Sequence, residues 1–286
     1  MNVISVEDLR FRYRRAERYS LKDVSFTVKR GELLGIIGPS GGGKSTLCLT
    51  LNGIIPNSIK GEFEGDVVIT DPRTGEEYNT KETPVPTLSA VVGLVLQNPE
   101  SQLFNMTVEE EIAFGLENLG LERNEILRRL RWALEVTGLR GLEGEFPPNL
   151  SGGQQQRLAI AAVLAMDPSI IVLDEPTSQL DPVGRREVLG LVSLLNREHG
   201  ITVVLVEHHT DYILRYADRV IVMDRGEIVL QGTPEEVAEE ADTLRKLGVK
   251  LPPALEVSHE LRKRGVLGEA VLTPEAFLRL IGRSSD

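Results

Sequence analysis

Nine consecutive residues, Gly38-Pro39-Ser40-Gly41-Gly42-Gly43-Lys44-Ser45-Thr46, form the pattern G-x-x-x-x-G-K-[ST] directly after the apolar run Leu33 to Ile37. The chemistry this arrangement can do is to hold a phosphate chain. Glycines let the backbone wrap an anion so that successive N–H groups point at it, and a following helix adds the positive end of its dipole. Lys44 then reaches the β- and γ-phosphates of a nucleotide, and the Ser45 hydroxyl reaches Mg²⁺. A second group is Asp174-Glu175, at the end of the apolar run Ile170 to Leu173. In an open α/β sheet a buried strand emerges at the edge where ligands bind and where the phosphate loop opens. Asp174 can therefore hold Mg²⁺ through water, while Glu175 faces the γ-phosphate as general base. Two adjacent acids alone are more often a solvated turn; the strand and the phosphate loop together favour the site. A third group, Leu150-Ser151-Gly152-Gly153-Gln154, precedes an apolar helix running to Met166. Ser151 and Gln154 satisfy an S-x-x-Q capping box, which suffices to explain them in an ordinary helix. Two glycines in the first helical turn are poor helix formers, however, and suggest that a ligand approaches the backbone closely.

The elements that must position these groups are legible as hydrophobic patterns. Val3 to Val28 alternate as strands of an antiparallel sheet. After Lys44, Leu47, Cys48 and Leu51 share one side of a helix that ends at Asn52-Gly53. Residues 61–88 read as short strands and turns, and residues 107–166 as mainly helical. Val91 to Leu96, Ile170 to Leu173, Thr202 to Val206 and Val220 to Met223 are continuous apolar runs that fit strands buried on both faces, with a helix from Arg185 to Glu198 between two of them. Strands alternating with helices predict a largely parallel sheet covered on both sides. Leu251-Pro252-Pro253 interrupts the pattern, and Thr273-Pro274-Glu275 opens a short final helix.

The chain has 286 residues, 41% of them hydrophobic, which is enough for a conventional core. Its 43 acidic and 32 basic residues give a net charge of −11, the wrong sign for coating nucleic acid or an anionic membrane. No apolar stretch approaches the roughly 20 residues of a membrane span, so a transport role requires separate membrane subunits. The first residues lack a basic segment followed by an apolar one, and one cysteine allows no internal disulfide, so the expected compartment is the cytosol. Cys48 reads as a buried small hydrophobe.

Taken together, the phosphate loop, the strand-end carboxylates and Leu150-Ser151-Gly152-Gly153-Gln154 resemble the ATP-binding-cassette ATPases, whose signature motif the last of these matches. The resemblance implies a RecA-like α/β core of the P-loop NTPase type, an N-terminal antiparallel β-subdomain, and a helical subdomain at about residues 98–160. It assigns residues 1–235 to the ATPase domain and residues 236–286 to a C-terminal extension; deleting the extension is expected to leave the core folded and to weaken dimerisation of nucleotide-free chains. It also implies ATP and Mg²⁺ as ligands. Gln97 resembles the Q-loop glutamine, which contacts Mg²⁺ and the attacking water and senses a membrane subunit. Ser178-Gln179-Leu180-Asp181 resembles the D-loop at a dimer interface, and His208 resembles the histidine that contacts the γ-phosphate. Tyr13 resembles the aromatic platform beneath adenine, with Phe11 as its competitor on the same side of a strand. Two positions depart from the family pattern: Gln179 stands where a small residue is usual, and Glu207-His208-His209 where Thr-His-Asp is commoner. His208 keeps the spacing from the strand, which leaves His209 as a surface residue.

Leu96-Gln97-Asn98-Pro99-Glu100-Ser101-Gln102-Leu103-Phe104 is similar to the Q-loop of ATPases from energy-coupling-factor importers of cobalt, nickel and vitamins, and Thr107 to Asn118 continue that similarity. Glu260 to Gly265 and Thr273-Pro274-Glu275 look like the C-terminal extension of the same group. The implied assembly has two ATPase protomers, alike or related. Each ATP is held by Lys44 and Ser45 of one protomer and completed by Ser151, Gly152, Gly153 and Gln154 of the other. Its membrane partners are a coupling subunit and a substrate-binding subunit, which places the chain on the cytoplasmic face of the cell membrane. The alternatives are a soluble cassette ATPase uncoupled from transport and a nucleotide-binding regulator without turnover; Glu175 and His208 argue against the second.

Overall fold

A computed structural model describes residues 1–283. Two kinds of strand build two sheets. The alternating segments β1 (Asn2–Tyr13) and β2 (Leu21–Lys29) pair antiparallel, with Ile4 opposite Val28 and Val6 opposite Phe26. The continuous apolar run β3 (Leu33–Ile37) leaves this sheet. The chain returns to it with β4 (Gly61–Thr70) and β5 (Glu77–Asn79), giving the order β2-β1-β4-β5. Residues 61–70 thus form one long strand where short ones were expected, because β4 pairs along nearly the whole of β1.

The second sheet contains β3, β6 (Val92–Val95), β7 (Ile170–Asp174), β8 (Thr202–Val206), β9 (Arg219–Asp224) and β10 (Glu227–Gly232), in the order β10-β9-β3-β8-β7-β6. All neighbours are parallel except β9 and β10. Every residue of β3, β7 and β8 is buried, as expected for strands covered on both faces. Their register is nearly flush at the carboxyl ends, since Ile36 and Asp174 both pair with Val206. The segments that follow these three strands therefore emerge side by side.

Helices α1 (Lys44–Leu51), α2 (Ile54–Asn57) and α3 (Val85–Ser89) lie in the first part of the chain. They are followed by α4 (Val108–Asn118), α5 (Arg123–Val136), α6 (Gly152–Ala165), α7 (Pro182–Arg197) and α8 (Thr210–Tyr216). The last four are α9 (Pro234–Glu239), α10 (Ala241–Lys246), α11 (Pro253–Lys263) and α12 (Pro274–Arg283). Helix α7 starts three residues before the expected Arg185, because the Asp181 carboxylate accepts from Gly184 N at 2.7 Å and Pro182 occupies the first turn without needing a donor.

Three apolar clusters hold the layers together. One joins Leu47, Cys48 and Leu51 of α1 to both sheets through Ile4, Phe11, Leu34 and Ile36. A second lies on the other face of the parallel sheet under α6, α7 and α8. A third joins α4, α5 and α6 through Val108, Ile112, Leu134 and Leu158. Helix α6 serves two of them, with Ala159, Ile160 and Leu164 toward the sheet and Leu158, Ala161 and Ala165 toward α4 and α5.

The segment after residue 235 packs onto this core. Val237, Ala241, Leu244, Val249, Leu251 and Leu255 enter the same cluster as the sheet residues Val220 and Val222. Leu244 is fully buried there. Leu244→Ala is expected to cost about 2–5 kcal/mol of stability, read as a lower urea midpoint of the full chain; an unchanged midpoint would show that the extension does not support the core.

Candidate active site

The phosphate loop connects β3 to α1, and two of its glycines are imposed by the fold itself. Gly38 has φ 147° and a Cβ there would lie 2.0 Å from the Met223 carbonyl oxygen, while Gly43 has φ 101° and would collide with Ser20 O at 2.6 Å. The loop is thereby pressed against the end of β9 and the approach to β2. Lys44 is only 4% exposed, and its Nζ donates to Gly38 O and Pro39 O at 3.0 Å each. Burial pushes its ammonium pKa below the ordinary lysine value, partly offset by Glu175 and Asp174.

Glu175 is the hub of the site. Its Oε1 lies 2.8 Å from His208 Nε2 and 3.7 Å from Lys44 Nζ, and its Oε2 accepts from Gln97 Nε2 at 3.1 Å. Three residues, from the ends of β6 and β8 and the start of α1, thus converge on the carboxylate at the end of β7. The backbone of Glu175 has φ 51°, a left-handed conformation, and its N–H donates to Val206 O at 2.9 Å. Asp174 is buried beside it, with Oδ1 bonded to no protein group, and desolvation raises its pKa while Ser45 lowers it. An unpartnered buried carboxylate oxygen next to a serine hydroxyl suits a hard cation. Among the described residues no cluster of three or more His, Cys, Asp or Glu could cage a metal by itself. That fits Mg²⁺, which is usually held by one or two carboxylates together with phosphate oxygens.

One residue that the motif reading missed braces this arrangement. Glu207, 1% exposed, accepts from Thr177 N at 3.1 Å, Thr177 Oγ1 at 2.6 Å and His208 N at 3.1 Å. It ties the segment after β7 to the segment after β8, on either side of the Glu175–His208 contact. Burial raises its pKa, and those hydrogen bonds oppose the shift. The only sequence signal was its departure from the family pattern.

A cavity of about 890 Å³ opens over the loop, with Ser40 to Thr46, Gln97, Glu175 and His208 in its wall. Tyr13 does not line it. The Tyr13 hydroxyl meets Thr46 Oγ1 at 3.1 Å, while Tyr19 forms part of the cavity wall. Phe11, the competing platform, is fully buried in the core under Tyr13, with ring centroids 4.8 Å apart. Ser151, Gly152, Gly153 and Gln154 are also absent from this wall. They start α6 with the expected capping box, Ser151 N donating to Gln154 Oε1 at 2.9 Å and Gln154 N to Ser151 Oγ at 3.3 Å. A Cβ on Gly153 would stand 3.3 Å from Gly184 Cα of α7, so that glycine also serves helix packing within the chain. His209 is half-buried in a different cavity, not at the surface, and desolvation together with Arg185 lowers its pKa.

Comparison with known proteins agrees with this geometry. Residues 21–178 match the ABC transporter family. A Pyrococcus horikoshii protein described as an ABC transporter ATP-binding protein is 58% identical over 281 residues, which is 98% of this chain and 97% of that one. The energy-coupling factor transporter ATP-binding protein EcfA1 of Caldanaerobacter subterraneus is 42% identical over 286 residues, covering 98% and 99% of the two chains. Among solved structures, cbiO1 from Clostridium perfringens, part of the ABC transporter complex cbiONQ, superposes with a TM-score of 0.74 at 35% identity, over 90% of this chain and 98% of that one. The phosphate loop, the carboxylate hub and these relatives agree that the chain belongs to the ABC transporter family as an ATP-hydrolysing subunit.

Proposed function

We propose that this chain energises a membrane importer of the energy-coupling-factor type, taking up a cobalt or nickel ion or a vitamin, and that it works as one of two ATPase protomers. The observation that carries the reading is the separation of two half-sites. Lys44, Gln97, Glu175 and His208 share one cavity, whereas Ser151 and Gly152 are exposed at the start of α6 outside its wall. A second protomer brings such a helix end to the phosphate loop of the first, and the two then share each ATP. Transport coupling is supported by the relatives named for energy-coupling-factor transport and for the cbiONQ complex. It is also supported by Phe104 and Met106, which follow the Gln97 loop with 64% and 67% exposure and offer an apolar seat for a membrane coupling subunit. A separate substrate-binding membrane subunit selects the cargo. Among the described residues no helix is long and apolar enough to cross a membrane, so the chain sits peripherally, on the cytoplasmic face, through its partners. In this reading residues 1–235 are the ATPase domain, with a helical subdomain near 98–160, and residues 236–286 are an extension, of which Val237 to Leu255 contribute side chains to its core.

Hydrolysis follows from the hub. A triphosphate attracts Lys44 and His208 toward its β- and γ-oxygens, which frees the Glu175 carboxylate to accept a proton from water. That water attacks the γ-phosphorus, and the bond from this phosphorus to the bridging oxygen breaks. Gln97 orients the water and His208 holds the γ-phosphate. Ser45, Asp174 and Gln97 would hold Mg²⁺, which neutralises charge developing on the phosphate oxygens. Glu207 acts as a positioning residue by holding the segments that carry Glu175 and His208. Tyr13, outside the cavity wall but tied to Thr46 of the phosphate loop, is assigned as the platform beneath adenine, with Tyr19 of the wall as the alternative.

Lys44→Ala is expected to abolish ATP binding, and Glu175→Gln to lower the hydrolysis rate about 10²- to 10⁴-fold while an ATP-bound dimer accumulates on sizing chromatography. Equal rates for the parent and Glu175→Gln, or a mutant that stays monomeric with ATP, would sink this reading. Glu207→Ala leaves the Thr177 donors unpaired, with an expected loss of about 1–3 kcal/mol in urea denaturation. It should also lower kcat about tenfold with little change in KM. Tyr13→Ala should weaken ATP binding by about 1–3 kcal/mol, and Tyr19→Ala by less; calorimetric titration showing the reverse order would move the base platform to Tyr19.

A further inference from the structure

A second cavity, of about 610 Å³, lies between α7, α8 and the chain from Pro252 to the start of α12, and shares no lining residue with the ATP cavity. Its size falls within the range of small-molecule sites. Helix α7 contributes Arg185 and Arg186 to its wall, and α8 contributes Tyr212, Arg215 and Tyr216, with the Arg215 guanidinium 5.4 Å from the centre of the Tyr216 ring. Arg185 and Arg186 donate to the backbone carbonyls of Leu180 at 3.4 Å and Pro182 at 3.2 Å, but have no carboxylate within 4.0 Å among the described residues, and Arg185 Nε is buried without a partner. The lining acids are Asp211 and Glu275, and Glu275 meets Arg215 only at 3.8 Å with both side chains about half exposed. Uncompensated guanidinium groups on a chain of net charge −11 point to an anionic occupant.

Gly190 supplies an independent observation. It sits inside α7, where glycine is a poor helix former, yet its φ is not left-handed and a Cβ there would meet nothing within 4 Å. The backbone and the packing do not require glycine. Gly190 is exposed and borders the cavity, so the absence of a side chain there leaves its wall open.

We propose that this cavity binds a small organic anion with an aromatic or aliphatic body, its acid group on Arg185 and Arg186 and its apolar part on Tyr212 and Tyr216. Two chain segments link this cavity to the ATP site. His209, in the cavity wall, directly follows the His208 that touches Glu175, and Arg185 lies in the first turn of α7 just after Ser178 to Asp181. Occupancy therefore alters the rate of ATP turnover.

Anilinonaphthalene sulfonate, an aromatic anion that fluoresces when bound, tests this on the full chain in saturating ATP. The expected result is one probe per chain, with affinity at least about tenfold above that of the neutral phenylnaphthylamine. Gly190→Phe should melt no lower than the parent and weaken the sulfonate by about tenfold or more, and Ser193→Leu provides a second block should the first variant fold poorly. Arg185→Gln with Arg186→Gln should weaken the sulfonate but not the neutral probe. Probe binding that ATP displaces, that survives a folded blocking variant, or that is equal for the two probes overturns the site. The sulfonate should change the parent's hydrolysis rate about twofold or more and leave the blocked variant's rate unaltered; the same effect on both overturns the link to turnover.

Discussion

Flush carboxyl ends on three parallel strands are the constraint on which the catalytic geometry depends. Ile36 of β3 and Asp174 of β7 pair with the same residue, Val206 of β8. The histidine segment therefore starts between the phosphate loop and the carboxylate pair, each one strand away from it, before any side-chain interaction is counted. A slip of one residue in β7 would turn Asp174 and Glu175 to opposite faces of the sheet and dismantle the hub. The register is secured because β3, β7 and β8 are wholly buried between two apolar clusters, where an altered alternation would press backbone and side chains into a close-packed core.

The hub assembled on that edge is costly to build without its ligands. Lys44, Asp174, Glu175 and Glu207 are all less than a tenth exposed, and burial of ionised groups is unfavourable unless each is paired. Glu175 satisfies Lys44, His208 and Gln97 together, and Glu207 is satisfied by Thr177 and the backbone of His208. Asp174 Oδ1 alone has no protein partner. The arrangement is thus complete on its protein side, with one buried oxygen directed to the role that the sequence assigns to metal binding.

Much of this was legible in the sequence, and the gaps have physical causes. The phosphate loop, the apolar runs of the parallel sheet and the capping box at Ser151 are local patterns that appear where the residues indicated, whereas the start of α7 lies three residues earlier. Glu207 could not be read, because its partner Thr177 lies 30 residues away and is brought near only by the β7–β8 pairing. The glycines of α6 could be read in part. Gly153 suggested close approach, and within the chain the approaching group is Gly184 of α7. Tyr13 and Phe11 were indistinguishable as neighbours on one strand face until packing buried Phe11 completely. The segment after residue 235 looked separable because its charged helices resemble a surface, but apolar side chains such as Leu244 and Leu255 point into the sheet cluster.

Helix α6 limits how the proposed motor can move. Its residues serve the cluster against the sheet and the cluster with α4 and α5, so Ser151 and Gly152 at its start are fixed to the same body as the phosphate loop. Packed apolar interfaces of this kind have discrete arrangements and do not stretch continuously. Within one chain the signature residues therefore cannot swing onto their own Lys44 without breaking two clusters. In the proposed motor the approach of a serine–glycine turn to bound triphosphate comes from rigid-body closure between protomers. A membrane subunit seated beside Phe104 and Met106 would then be displaced with the whole chain, and not by a local loop movement.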